Sequence, residues 1–237
     1  MSVPDDKNRD NLPSRIKSEI DLAGYIDAAL LKTETTAEQI EKLCQEAARY
    51  HYKAIFINPA YVRLCRGLLE GTGVRVGSVT GFPLGATTTE VKIYEAQEDE
   101  NYGAEEIDMV ANIGAIKSGD FGLVERDIVG VRKALSHNTT FKVIIETTLL
   151  TREEKITTAK IVADCGADFV KTSTGMFAQA TVEDVTLLFE TVGRKIGVKA
   201  SGGIRTLQQM LAMIEAGASR IGTSAGAHII EELKSGR

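Results

Sequence analysis

Short apolar runs recur along the chain, separated by longer stretches whose apolar residues repeat at helical spacing. The runs are Tyr25-Ile26-Asp27, Ala54 to Ile57, Val74 to Thr80, Ile107 to Asn112, Phe141 to Glu146, Phe169 to Ser173, Val198 to Ser201 and Arg220 to Thr223. They are continuous rather than alternating, the pattern of parallel strands buried on both faces. Between the first two, Ile40, Leu43, Cys44 and Ala47 recur at i, i+3, i+4 and i+7 and predict an amphipathic helix. Thr35 is its expected cap, with Glu38 reaching back. Asn58-Pro59 opens a second helix to about Glu70, and Thr87 with Glu90 a third to about Tyr102. A fourth runs from about Ser118 to Leu135, and a fifth starts at Thr151 with Glu154. A sixth spans Thr181 to Val192, a seventh is capped by Thr206 with Gln209, and the last covers about Ala225 to Leu233.

Eight β-then-α units in 237 residues predict a single-domain α/β fold, a closed (β/α)8 TIM barrel over residues 19–237. An open doubly wound sheet is the alternative, but no strand runs into a dinucleotide glycine fingerprint. Residues 1–18 are polar, hold Pro4 and Pro13, and read as a flexible N-terminal extension without a signal-peptide pattern.

Composition narrows the partners. At 43% apolar and 26% charged residues the chain builds a substantial core. A net charge of −5 with no basic block gives no footprint for nucleic acid or acidic membranes. No apolar run approaches the roughly 20 residues that cross a bilayer, and a cytoplasmic protein is expected. Cys44, Cys65 and Cys165 are scattered, as are His51, His137 and His228, so neither a disulfide framework nor a metal site is expected.

The chemistry is concentrated in two strands. Phe169-Val170-Lys171-Thr172-Ser173-Thr174-Gly175 and Gly197-Val198-Lys199-Ala200-Ser201-Gly202-Gly203 each carry a lysine in mid-strand. A buried ammonium costs several kcal/mol unless it is paired or neutralised. On adjacent strands about 4.8 Å apart, two such lysines lower each other's pKa, as burial also does. The outcome is a neutral amine suited to Schiff-base catalysis. Which of the two is the nucleophile is left open by this reasoning. Asp108, a carboxylate within the apolar strand Glu106-Ile107-Asp108-Met109-Val110, is the matching proton carrier. A structural ion pair would explain Asp108 with one lysine but not the second lysine. Gly202 and Gly203 end the seventh strand, and Gly222-Thr223-Ser224 ends the eighth, where barrels place phosphate. Glu146, Lys117 and the loop Gly81-Phe82-Pro83-Leu84-Gly85 are weaker candidates.

At these residues the chain resembles the deoxyribose-phosphate aldolase family. The resemblance is carried by Gly81 to Gly85 with Thr87-Thr88-Thr89-Glu90, by Glu106 to Val110, and by Asn112-Ile113-Gly114 with Lys117-Ser118-Gly119. It continues in Val170 to Gly175 and in Val198 to Thr206. It implies a class I aldolase that reversibly cleaves 2-deoxy-D-ribose 5-phosphate to D-glyceraldehyde 3-phosphate and acetaldehyde, in deoxyribonucleotide catabolism. By resemblance Lys171 is the Schiff-base lysine, Lys199 the lysine that lowers its pKa, and Asp108 the proton relay. Phosphate falls on Gly202, Gly203 and Ser224, with Gly175 and Gly222 nearby. No cofactor or metal is implied, and the assembly is a homo-oligomer, dimer or tetramer. Four features depart from the family pattern: Ala28 and Ala29 after Asp27, Phe56 in place of a cysteine, Met176 in place of a phosphate-binding lysine, and the absence of a terminal tyrosine.

Overall fold

The computed structural model describes residue 16, residues 18–177 and residues 179–236. The expected N-terminal extension lies outside the described residues except for Ile16, which is buried, and Ser18, whose hydroxyl caps the first helix. Eight parallel strands close into one barrel in sequence order. They are β1 (Ile26–Leu30), β2 (Ala54–Ile57), β3 (Arg75–Thr80), β4 (Glu106–Val110), β5 (Thr140–Ile144), β6 (Phe169–Lys171), β7 (Gly197–Ser201) and β8 (Arg220–Thr223).

Ten helices are described around them. Before β4 come α1 (Glu19–Ala23), α2 (Ala37–Tyr50), α3 (Val62–Leu68) and α4 (Thr89–Asn101). After it come α5 (Ile113–Lys117), α6 (Phe121–Ala134), α7 (Arg152–Asp164), α8 (Val182–Val192), α9 (Leu207–Glu215) and α10 (Gly226–Ser235). Helices cover the outer side of the barrel, where strands β5 to β7 present apolar residues. Val143, Val170 and Val198 are successive register partners on β5, β6 and β7, and all are buried. The helical layer is also tied by a buried ion pair, Lys92 of α4 to Asp127 of α6 at 2.6 Å.

Several boundaries differ from the sequence expectation, for local reasons. The capping box of α2 is Thr36 with Gln39, not Thr35 with Glu38. Both pairs satisfy the spacing, but Thr35 is buried with its carbonyl accepting the Tyr61 hydroxyl. Thr88 rather than Thr87 caps α4. The helix expected from about Ser118 to Leu135 starts later, at Phe121, because Gly119 turns at φ +73° and Asp120 caps α6, and the short α5 before it was not expected. Asn58-Pro59 opens a 3-10 turn before α3 rather than the helix itself. β5 ends at Ile144 because Glu146 takes a left-handed conformation, φ 49°.

The register positions the site. Lys171, Lys199 and Arg220 are successive partners across β6, β7 and β8, and Asp108 is paired with Lys142 across β4 and β5. Two aromatic rings share the interior with these charges, and each relies on a glycine next to it. A Cβ at Gly77 would stand 2.5 Å from the Phe56 ring, and one at Gly197 would stand 2.3 Å from Phe169.

Candidate active site

The barrel interior carries an unusual charge load for a core. Asp27, Glu106 and Asp108 face Lys142, Lys171, Lys199 and Arg220, and none of the seven is more than 5% exposed. Charges this deep persist only when paired and hydrogen-bonded, and here every one has a partner. Asp108 is the hub. Its Oδ2 accepts from Lys171 Nζ at 2.8 Å and from Lys199 Nζ at 2.7 Å, and its Oδ1 lies 3.1 Å from Lys142 Nζ. The Lys171 and Lys199 nitrogens therefore lie within twice a hydrogen-bond length of each other. Lys199 also contacts Asp27 Oδ2 at 2.7 Å. Behind them Glu106 joins Lys142 to Arg220, and Arg220 grips Asp27 through Nε at 2.7 Å.

Four cations against three carboxylates leave one positive charge unmatched, and the protonation equilibria reflect it. Burial pushes Lys199 down to about 8; Asp108 and Asp27 oppose the shift, while Lys171 and Lys142 add to it. Burial also works to lower Lys142, yet Asp108, Glu106 and Asp27 overcome it and leave this lysine above its ordinary value. Burial would raise Asp108, but Lys142, Lys171 and Lys199 together hold its carboxyl well below the usual carboxylate range. Asp108 is thus a fixed anion and Lys199 a cation able to give up its proton near neutral pH.

Above the lysines, at the C-terminal ends of the strands, opens a cavity of about 240 Å³. Lys171 and Lys199 form part of its wall together with Gly175, Gly202, Gly203, Gly222 and Ser224, so the structure brings these predicted residues into one chamber. Asp108 lies beneath, sealed from solvent. The glycines have a physical requirement. Gly202 and Gly203 turn at φ +105° and +75°, and a Cβ at Gly222 would fall 2.0 Å from Ser201 Oγ. Thr172 stitches the ends of β6 and β7 together, donating from Oγ1 to the Ser201 carbonyl and accepting from its N–H at 3.0 Å. That bond holds the two lysine strands in step.

Other candidates fall elsewhere. Lys117 pairs with Glu154 on the surface, and the Gly81–Gly85 loop does not line the chamber. Glu146 is buried, and its Oε2 accepts from both the N–H and hydroxyl of Thr174, so it braces the loop after β6. Among the described residues, no histidine, cysteine and carboxylate group is clustered to hold a metal, and no helix is long and apolar enough to cross a membrane.

Sequence reasoning missed Lys142, Glu106 and Arg220. Lys142 carried the signal that marked Lys171, a lysine amid apolar strand residues. Glu106 and Arg220 sit at strand starts, where a charge ordinarily faces water. Asp27 was noted only as a family feature, and its contact with Lys199 was not foreseen.

Comparison with known proteins gives a consistent picture. The profile of the DeoC/LacD family aldolases matches residues 20–232. A deoxyribose-phosphate aldolase of Thermococcus gammatolerans is 54% identical over 216 residues, 90% of this chain and 96% of its own. One of Staphylococcus epidermidis is 53% identical over 214 residues, 90% of this chain and 97% of its own. Among solved structures, the tetrameric deoxyribose phosphate aldolase of Aeropyrum pernix superposes with a TM-score of 0.87 at 36% identity, covering 93% of this chain and 94% of its own.

Proposed function

Since the chain belongs to the DeoC/LacD aldolase family of lyases, we propose that it reversibly cleaves 2-deoxy-D-ribose 5-phosphate to D-glyceraldehyde 3-phosphate and acetaldehyde through a Schiff base on Lys171. The observation that carries this reading is the single Asp108 oxygen shared by two lysines at the floor of a glycine-rimmed chamber. Lys171 touches one carboxylate, whereas Lys199 and Lys142 each touch two. Lys171 is therefore the amine least committed to an ion pair, and it borders the chamber.

In this reading the Lys171 amine adds to the C1 aldehyde, and loss of water with a proton from Lys199 leaves a protonated imine. Lys199, neutral once its proton has left with that water, takes the C3 hydroxyl proton as the C2–C3 bond breaks and D-glyceraldehyde 3-phosphate is released. The bonding pair moves into the imine and forms an enamine on Lys171. Protonation at C2 and hydrolysis release acetaldehyde and restore the amine. Lys199 is the proton source, since its proton is labile near neutral pH while Asp108 stays ionised and holds both amines in place. The phosphate is held by the backbone N–H groups around Gly175, Gly202, Gly203 and Gly222 and by Ser224. Lys32 and Arg205 line the same chamber and add positive charge where Met176 supplies none.

The test is borohydride reduction in the presence of acetaldehyde, followed by peptide mapping. An N-ethyl group at Lys171 is expected. No adduct, or an adduct at Lys199, refutes the assignment. The assembly proposed is a dimer or tetramer, as for the tetrameric Aeropyrum pernix relative, measurable by light scattering.

A further inference from the structure

Phe56 is an uncharged interior side chain that faces three of the lysines, and it faces them unequally. It lies on β2 with 1% of its surface exposed, in the space Gly77 leaves on β3. The Lys199 ammonium stands 3.4 Å from its ring centroid, Lys142 4.5 Å and Lys171 5.9 Å. The face of an aromatic ring carries negative potential without any proton to exchange, and it attracts a cation within about 6 Å. That supplies a partial counter-charge where cations outnumber carboxylates.

We propose that Phe56 is a positioning residue whose ring face stabilises the charged form of Lys199, the proton donor of the reaction. The inference rests on the lysine chemistry proposed above and deepens it. Lys199 is faced by Asp27 from β1, Asp108 from β4, Lys142 from β5, Lys171 from β6 and Arg220 from β8, with Glu106 beyond. Asp108 acts on both amines alike. The second carboxylate, Asp27, and the ring face both favour charge on Lys199. A cation–π contact out of water favours the charged form by about tenfold or more.

Ring-fluorinated phenylalanines, placed site-specifically at position 56 with one, two and three fluorines, test this without changing the shape of the side chain much. Each fluorine drains the negative face while every carboxylate and lysine stays in place. The readout is the pH profile of kcat/KM for 2-deoxy-D-ribose 5-phosphate, with melting temperature and borohydride trapping measured alongside. The alkaline limb, where Lys199 loses its proton, is expected to move to lower pH stepwise, by about one pH unit across the series. The melting temperature should hardly change. Phe56→Leu should move the limb the same way if it folds, and the fluorinated series decides the matter if it does not. A parent enzyme that forms no adduct at Lys171 overturns the Schiff-base reading and this inference with it. A parent that forms the adduct, with an alkaline limb that stays in place through the series, overturns this inference alone.

Discussion

Replacing Asp108 by asparagine keeps the shape of the hub and removes its charge. In the parent, Oδ2 binds Lys171 and Lys199 while Oδ1 meets Lys142. After the change Lys199 retains Asp27 and Lys142 retains Glu106, but Lys171 keeps no carboxylate. Breaking one partner out of a buried ion network typically costs about 3–5 kcal/mol. The loss has a ceiling, because a stranded lysine can shed its proton. Doing so at pH 7, from a pKa near 10.4 in the unfolded chain, costs about 4.6 kcal/mol. At pH 9 the same step costs only about 2 kcal/mol. Asp108→Asn is therefore expected to lower stability by about 3–5 kcal/mol at pH 7 and by no more than about 2 kcal/mol at pH 9. Urea unfolding of parent and variant at both pH values measures it. Turnover should fall about 10²- to 10⁴-fold, yet borohydride should still trap acetaldehyde on Lys171, because the amine remains. A loss under about 1 kcal/mol at pH 7, or one that grows with pH, would refute the hub.

Four further outcomes follow from the same geometry. Lys171→Leu should abolish turnover while stability stays within about 1 kcal/mol of the parent or rises, since it removes the unmatched cation; a clearly destabilised fold would make Lys171 structural instead. Gly222→Ala places a methyl 2.0 Å from Ser201 Oγ. It should cost about 1–3 kcal/mol and raise KM, with Ser201→Gly in the same chain restoring both; no rescue would count against the close approach. Met176→Lys adds a cation to the chamber wall and should lower KM for the phosphorylated sugar by about fivefold, given the roughly 1 kcal/mol worth of a solvent-exposed pair, without changing KM for unphosphorylated 2-deoxyribose. Lys199 titrates near 8 in the fold against an ordinary 10.5. Between those values the unfolded chain binds the extra proton, so stability tied to this residue should rise with pH by about 3 kcal/mol across that window. Asp27 and Asp108, held below their ordinary values, contribute stability that is present above about pH 4 and lost as acid protonates them. Urea midpoints from pH 3 to 10.5, with Lys199→Met as the reference above pH 7, would show both slopes or their absence.

The strands and most helices could be read from the sequence because their signals are local. Continuous apolar runs mark buried parallel strands, and the capping boxes at Thr151 and Thr206 bond within one helical turn. Lys171, Lys199 and Asp108 were legible for a related reason: a charge inside an apolar run conflicts with its surroundings, and that conflict is visible in the sequence. Where two local solutions were equally good, as at Thr35 and Thr36, only the distant Tyr61 hydroxyl chose between them. The same holds for the site. Asp108 meets Lys171 and Lys199 across 63 and 91 residues, and Arg220 meets Asp27 across 193. Barrel closure turns such separations into hydrogen bonds, so the strand-end charges Glu106 and Arg220 turned out to be interior ones. The sequence alone left the two lysines interchangeable. What separates them is tertiary: a second carboxylate and an aromatic face lie against Lys199, while Lys171 borders the chamber with one partner, because register and Gly77 decide which side chains share the axis.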